Sequence, residues 1–129
     1  MLKLDVVSPS GQIINKWDIP FLVVPSVKGE LTILPGHIDM VCILGKGIME
    51  LGEAGRYVIY GGVMEVSKGD TIVVVADKIK KSNDINENQA KNDLKEIESK
   101  LTNEVLSDVD FSIINSKYQD LLAELSLFK

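Results

Sequence analysis

The chain has 129 residues, of which 45% are apolar and 26% are charged, and its formal net charge is −5. This composition is ordinary for a globular protein, and a chain of this length folds without help from disulfides or metals. Residues 83–129 hold five basic and ten acidic side chains, so they carry the whole acidic excess. Because such a segment is repelled by phosphate backbones and anionic lipid, we do not expect nucleic-acid binding or direct membrane binding.

The sequence lacks the apolar segments that mark membrane-spanning and secreted proteins. No apolar run approaches the ~20 residues that a membrane span requires. Asp5 falls where a signal peptide would have its apolar core. Cys42 is the single cysteine, and within an apolar run we expect it to be a small core residue in a reducing compartment. We therefore expect a cytoplasmic protein without a membrane-inserted part.

The first part of the chain has the pattern of a β-sandwich. Residues 1–77 carry turn signals every 8–12 positions, a spacing typical of sandwiches and barrels. Residues 40–44 and 48–51 flank Gly45-Lys46-Gly47, which predicts a hairpin. The pair Gly61-Gly62 interrupts a strand and predicts a bulge or a close backbone approach. Eight to ten short strands without intervening helices predict antiparallel pairing and two packed sheets.

From residue 83 onward the apolar residues recur with the period of a helix. Asp84 and Glu87 match a capping box and predict a helix start near Asp84, and Asp108 and Asp110 are candidate N-caps of a second helix. A short link predicts an antiparallel helical hairpin. The two predicted apolar stripes are Ala90, Leu94, Ile97, Leu101 and Val105, and Phe111, Ile114, Tyr118, Leu121, Leu125 and Phe128.

The sequence therefore predicts a β plus α protein with two domains, a β-sandwich over 1–82 and a helical hairpin over 83–129. Two helices cannot cover each other's apolar stripes completely, so the hairpin needs another surface. That surface could belong to the sandwich, to a partner, or to each in turn, which is a physical basis for a conformational switch.

Few residues in the chain could carry chemistry. His37 is the only histidine and has only Asp39 nearby in sequence, so an ordinary loop histidine is favoured over a metal ligand. Glu30 and Glu65 could act as a pair of carboxylates, but nothing in the sequence brings them together, and a buried, hydrogen-bonded Glu65 is expected. We predict no catalytic residue, no metal and no cofactor, and hence no enzyme.

Three segments, residues 29–37 (Gly-Glu-Leu-Thr-Ile-Leu-Pro-Gly-His), 61–66 and 73–77, resemble in order and spacing the epsilon subunit of the bacterial F-type ATP synthase. The resemblance covers nearly the whole chain. It implies a ten-stranded antiparallel β-sandwich followed by an antiparallel two-helix hairpin, located in the rotating central stalk at the cytoplasmic face of the bacterial inner membrane. The implied partners are the gamma subunit and the c-subunit ring, with the alpha/beta catalytic head as a further candidate through the hairpin. The implied contact residues are Glu30, Pro35, Gly36 and His37.

The resemblance is incomplete in the hairpin. Family members that bind ATP open the first helix with Ile/Leu-Asp-x-x-Arg-Ala, and the second helix of this chain has Asp120 and Glu124 where such members carry basic residues. The chain has no arginine after Arg56, so bidentate clamping of phosphate is not available. We predict weak or absent ATP binding and weak or no inhibition of ATP hydrolysis. The degenerate motif consists of Ile85, Asn86, Gln89 and Ala90.

Two alternatives to a non-catalytic rotor subunit stay open from the sequence. One is an ATP-sensing autoinhibitory subunit, which the missing arginines disfavour. The other is a free-standing β-sandwich module that binds carbohydrate or peptide, although the aromatic residues are few and scattered. The coupling ion, proton or sodium, is also left open.

Overall fold

The computed structural model describes residues 1–103 and 107–128, with residues 12, 102 and 103 described in backbone only. Eight strands come first and two α-helices follow, with 3-10 turns at Gly52–Ala54, Ser82–Asp84 and Ser126–Phe128. The elements are β1 (Leu2–Ser8), β2 (Gly11–Ile19), β3 (Leu22–Ser26), β4 (Gly29–Ile33), β5 (Met40–Glu50), β6 (Arg56–Ser67), β7 (Thr71–Ala76), β8 (Ile79–Lys81), α1 (Glu87–Asn103) and α2 (Asp108–Leu125).

The strands form one hydrogen-bonded sheet that folds around a common core as a sandwich. Its order is β2-β1-β7-β6-β5-β3-β4, and β8 pairs with the first half of β6. Eight strands lie within the eight to ten that the turn pattern predicts, but the ten strands that the resemblance implies were wrong. Segments predicted as separate strands continue as the single long strands β5 and β6. The expectation of purely antiparallel pairing was also wrong: β1 and β7 are parallel neighbours, and the other pairs are antiparallel.

The β5–β6 ribbon passes from one layer of the sandwich to the other. The two strands stay paired without a register shift over their whole length. Leu44 and Met64 point into the core in one half of the ribbon, whereas Met49 and Tyr57 point into the same core in the other half. Even-numbered β5 residues thus give way to odd-numbered ones, so the ribbon turns its opposite face inward. The predicted hairpin at Gly45-Lys46-Gly47 was wrong, because these residues lie inside β5, where the ribbon turns over.

The predicted close backbone approach at Gly61-Gly62 is confirmed. Both residues have positive φ, +102° and +148°. A Cβ atom on Gly62 would lie 2.2 Å from the carbonyl oxygen of Val75 on β7. Only glycine tolerates both this backbone conformation and this contact, so the pair lets the ribbon turn while it stays bonded to β7.

One apolar core holds the sandwich together. It is built from alternate residues of seven strands. Cys42, predicted as a core residue, is only partly buried and packs against the edge of this core. The largest fully buried side chains are Leu2, Leu4, Ile14, Ile19, Leu22, Ile33, Met49, Leu51, Ile59, Met64 and Ile72.

The two helices begin at neutral caps instead of the predicted aspartates. The Oδ1 atom of Asn86 accepts a hydrogen bond from the backbone N–H of Gln89 at 3.0 Å, so α1 begins later than the predicted start at Asp84. The Oγ atom of Ser107 accepts from the N–H of Asp110 at 3.2 Å. A cap must sit just outside the first turn, and the aspartates lie in a 3-10 turn or inside the first turn of α2. None of the helices in the described ranges is long and apolar enough to cross a bilayer.

The apolar stripes of the hairpin are only partly covered. Ala90 and Leu121 are buried, whereas Phe111 and Phe128 are 51% and 43% exposed. Leu94, Ile97, Leu101, Ile114, Tyr118 and Leu125 are half-buried. Val105 lies outside the described residues. The hairpin therefore leaves apolar surface that its own two helices do not cover.

Candidate functional site

The hairpin docks on the first half of β6 through a small apolar cluster of its own. Residues 57–60 are buried on both sides: Tyr57 and Ile59 face the sandwich core, and Val58 and Tyr60 face the hairpin. The second cluster consists of Val58, Tyr60, Ile85, Ala123 and Leu127, with Ile48 partly buried against it. Of the two surfaces that could cover the hairpin, the sandwich is the one occupied in this structure.

Polar contacts flank this cluster along α2. The Nζ atom of Lys46 lies 2.6 Å from Oδ1 of Asp120 and donates to the carbonyl oxygen and the Oγ atom of Ser116 at 3.2 and 3.1 Å. The Asp120 oxygen is shielded from solvent and makes no hydrogen bond of ordinary geometry, so its contact with Lys46 is an ion pair in nature. At the helix end, Arg56 donates from Nη2 to the carbonyl oxygen of Leu127 at 3.0 Å.

Tyr60 is the centre of the hairpin contact. Its hydroxyl donates to Oε2 of Glu124 at 2.9 Å, and the ammonium of Lys78 stands 4.6 Å from the ring centroid, with that of Lys80 at 6.0 Å. Burial, the hydrogen bond to Glu124, and the negative charges of Glu124 and Asp120 all raise the pKa of Tyr60 well above its usual value. The phenol is therefore held in its neutral, donating form.

A cleft of about 350 Å³ separates the two helices of the hairpin. Its charged lining comprises four acidic side chains and two lysines, and its apolar lining includes Ile97, Ile114 and Leu121. The acidic residues are Asp93, Glu96, Asp120 and Glu124. A phosphate in this cleft would meet more negative than positive charge and no guanidinium.

The four residues of the degenerate motif have structural roles in the described chain. Ile85 and Ala90 are buried, Ile85 within the hairpin–sandwich cluster. The side-chain oxygen of Asn86 caps α1, and Nε2 of Gln89 donates to Oδ1 of Asp93 at 2.9 Å. Two of these side chains thus point into apolar contacts, and the other two are engaged with α1 itself.

The predicted contact residues lie at the two ends of β4. Glu30 is exposed near its start, opposite Pro25 on β3. Pro35, Gly36 and His37 form the turn beyond its end, where the N–H of Gly36 donates to Oδ1 of Asp70 at 2.7 Å. The ring Nδ1 atom of His37 lies 2.8 Å from the carbonyl oxygen of Ile38. The turn is therefore fixed from the neighbouring β6–β7 loop, and it presents Leu34 and Ile38, which are 56% and 77% exposed.

Glu65 was wrongly predicted to be buried. It is exposed, and its Oε1 atom accepts from Oγ of Ser67 at 3.1 Å. The reason is the turnover at Gly61-Gly62, after which the odd-numbered residues of β6 point outward. Glu30 and Glu65 therefore do not form a buried pair of carboxylates. Within residues 1–103 and 107–128, no group of three or more His, Cys, Asp or Glu side chains could hold a metal ion.

Sequence reasoning missed an apolar outer face on the second half of the β5–β6 ribbon. Ile43, Val63 and Val75 are paired side by side across β5, β6 and β7, with Val41 in the next row and Val27 at the flank. Their exposed fractions are 62%, 43%, 52%, 70% and 63%. The sequence feature that could have revealed this face is the composition of residues 40–44 and 72–76, in which apolar residues follow one another without alternating polar ones. Such runs are typical of strands covered on both faces.

Comparison with known proteins gives the family. A model described as "ATP synthase, Delta/Epsilon chain, beta-sandwich domain" matches residues 1–82. The ATP synthase epsilon chain of Desulforamulus reducens is 36% identical over 92 residues, which make up 69% of this chain and 68% of that relative.

Two solved structures have the same fold. A chain in the cryo-EM structure of Euglena gracilis mitochondrial ATP synthase, OSCP/F1/c-ring in rotational state 1, matches with a TM-score of 0.88 at 18% identity, over 99% of this chain and 81% of that one. A chain in the cryo-EM structure of the central stalk/c-ring of Tetrahymena thermophila mitochondrial ATP synthase matches with a TM-score of 0.73 at 10% identity, over 99% of this chain and 96% of that one. The coverage includes the helical hairpin. Together with the sequence matches, these findings show that the chain belongs to the ATP synthase epsilon family.

Proposed function

We propose that the chain is a non-catalytic rotor subunit in the central stalk of an F-type ATP synthase. It would transmit rotation between ion flow through the membrane ring and ATP synthesis in the catalytic head. The apolar outer face carries this proposal. Strands that are apolar on both faces fold stably when both faces are covered, and exposed apolar patches on folded proteins mark interaction sites.

The gamma subunit is the partner that we assign to the outer face, and the c-subunit ring is assigned to the turn after β4. Glu30, Pro35, Gly36 and His37 are the contact residues proposed at the two ends of that strand. This arrangement suits a subunit at the foot of the stalk, on the cytoplasmic face of a bacterial inner membrane. The chain would catalyse nothing itself, and residues 1–82 and 83–129 would act as separate domains.

The hairpin is proposed to bind ATP weakly or not at all and to inhibit hydrolysis weakly or not at all. The acidic lining of the interhelical cleft supports the first part, because phosphate would be repelled there. The second part rests on the charge of α2, in which the single basic residue Lys117 stands against the acidic residues Asp110, Asp120 and Glu124. Calorimetry of the full chain with MgATP should give no low-micromolar site. Removing residues 84–129 should leave the hydrolysis rate of the reconstituted complex nearly unchanged, and a several-fold activation would contradict the proposal.

Binding to the isolated gamma subunit tests the assignment of the outer face. Val63→Glu places a charge in the middle of that face, where its burial in a complex is unfavourable. Fully burying one valine contributes about 1.5–3 kcal/mol, so the variant should bind at least tenfold more weakly by calorimetry.

Val109→Glu is the matched control, since Val109 is 68% exposed on α2, away from this face. Equal affinities of the two variants would argue against the assignment.

A further inference from the structure

We propose that an electrostatic latch between α2 and the β5–β6 ribbon holds the hairpin on the sandwich, and that rising ionic strength releases it without any bound ligand. The latch consists of the ion pair between Lys46 and Asp120 together with the hydrogen bond from Tyr60 to Glu124. The inference concerns an equilibrium within this chain and does not depend on the proposed function.

The latch residues form one stripe on α2. Ser116, Asp120 and Glu124 follow each other at intervals of four residues, which places them on the same side of the helix. All three contact the sandwich through polar atoms, Ser116 and Asp120 through Lys46, and Glu124 through Tyr60. Asp120 and Glu124 are half-buried in the docked form and would be solvated in a free hairpin. Their docking against the ribbon therefore depends on the partners that the ribbon supplies.

The ribbon, β8 and the link before β8 supply those partners. Lys46 pairs with Asp120, and Lys78 and Lys80 face the ring of Tyr60, close to Glu124. The charge distribution supports the contact on a larger scale, because the hairpin segment carries the whole net charge of −5. Three lysines of the sandwich, Lys46, Lys78 and Lys80, thus lie at its contact with the most acidic part of the chain.

The apolar part of the same interface is small. Five residues form its buried cluster, and one of them is an alanine. The sandwich core is a separate cluster with more than three times as many buried residues. Opening the hairpin would therefore leave the sandwich core intact, so the polar contacts have a large share in deciding whether the hairpin is docked.

The ion pair between Lys46 and Asp120 is exposed enough for dissolved salt to weaken it. The side chains of Lys46 and Asp120 are 31% and 24% exposed, so they are less screened than a surface pair but remain within reach of ions. The screening length falls from ~10 Å at 0.1 M to ~3 Å at 1 M salt. The docked form satisfies both charges from within the chain, and it therefore needs no ligand to close.

Energy transfer between dyes on the full-length chain measures the open and docked populations. The dyes would be attached at Glu53→Cys and Gln119→Cys, two exposed positions on the sandwich and on α2, in a Cys42→Ser background. Lys46→Asp and Asp120→Lys should each raise the ratio of open to docked molecules at least tenfold. The double variant, which restores the pair with reversed polarity, should return to within about threefold of the parent.

Two controls separate the latch from general charge effects and from misfolding. Lys28→Asp makes the same charge change on an exposed turn and should leave the ratio unchanged. In the Lys46→Met/Asp120→Leu variant, raising KCl from 0.1 to 1 M should change the ratio less than twofold, whereas the parent should open several-fold. The proposal is overturned if the double reversal stays as open as its single variants, or if the neutral variant shows the salt response of the parent.

Discussion

Replacing Tyr60 by Phe removes one oxygen atom from the centre of the hairpin contact and keeps the ring. The lost interaction is the hydrogen bond to Oε2 of Glu124 at 2.9 Å, in which the acceptor is a carboxylate. Hydrogen bonds to charged groups contribute about 1.5–3 kcal/mol. Because Glu124 is half-buried, water can partly replace the donor. We therefore expect the lower end of that range, a loss of ~1.5–2 kcal/mol in the free energy of hairpin docking.

The pH dependence of docking provides a second readout of the same variant. The pKa of Tyr60 is raised in the docked form, whereas the phenol of an undocked tyrosine loses its proton near pH 10. Its contribution is therefore complete below about pH 10 and is lost as the pH rises above that value, by at most ~1.4 kcal/mol per pH unit for one proton. Four other titratable side chains also face Tyr60, namely Lys78, Lys80, Glu124 and Asp120. They are present in both the parent and the Tyr60→Phe variant, so the difference between the two pH profiles reports the phenol.

Amide hydrogen exchange across β8 and the first half of β6, followed from pH 7 to 10.5, is the appropriate measurement. It should show faster opening in Tyr60→Phe at pH 7 and a smaller additional loss of protection above pH 10 than in the parent. If the variant keeps the protection of the parent at pH 7, or follows the same alkaline profile, then the hydroxyl of Tyr60 does not hold the hairpin on the sandwich.

Two further substitutions test the ribbon and the helix cap. Gly62→Ala should lower the unfolding free energy by more than ~3 kcal/mol in urea titrations, because its Cβ would lie 2.2 Å from the Val75 oxygen. Gly11→Ala meets no atom within 4 Å and should cost only its backbone strain, so equal losses would contradict the close approach. Asn86→Ala should destabilise α1 by about 0.5–2 kcal/mol, measured by exchange of its first amides. Asn86→Asp, which keeps the cap oxygen, should not.

The sequence was sufficient to place the strands before the two helices, but not to predict the path of the β5–β6 ribbon. Glycines at 45 and 47 are usual in a hairpin turn, and local pattern alone favoured that interpretation. The structure instead uses them where a continuous strand turns over, next to Gly61-Gly62 on its partner. Whether two segments form a hairpin or one long strand depends on which chain pairs alongside, and that information is not local.

The predicted contact residues and the observed apolar outer face also show that a local sequence pattern does not identify what covers a surface. Glu30 and the Pro35–His37 turn were predicted as contact residues from the resemblance alone, and the structure places them at either end of β4. The outer face was missed because residues 72–76 have the pattern of a strand that is buried on both sides. Periodicity reports that a face is apolar, but it does not say whether the cover comes from the same chain or from a partner.

Cysteine protection in the assembled complex measures whether the apolar outer face is covered in the stalk. Val63→Cys, in a Cys42→Ser background, places a thiol in the middle of the outer face, and Val109→Cys places one on the exposed part of α2. In the free chain, both thiols should react with a small alkylating reagent at similar rates. On assembly with the gamma subunit and the c-ring, labelling of Val63→Cys should slow at least tenfold, and labelling of Val109→Cys should slow much less. Unchanged labelling of Val63→Cys would mean that the apolar outer face is not covered in the stalk and that the gamma subunit does not bind there.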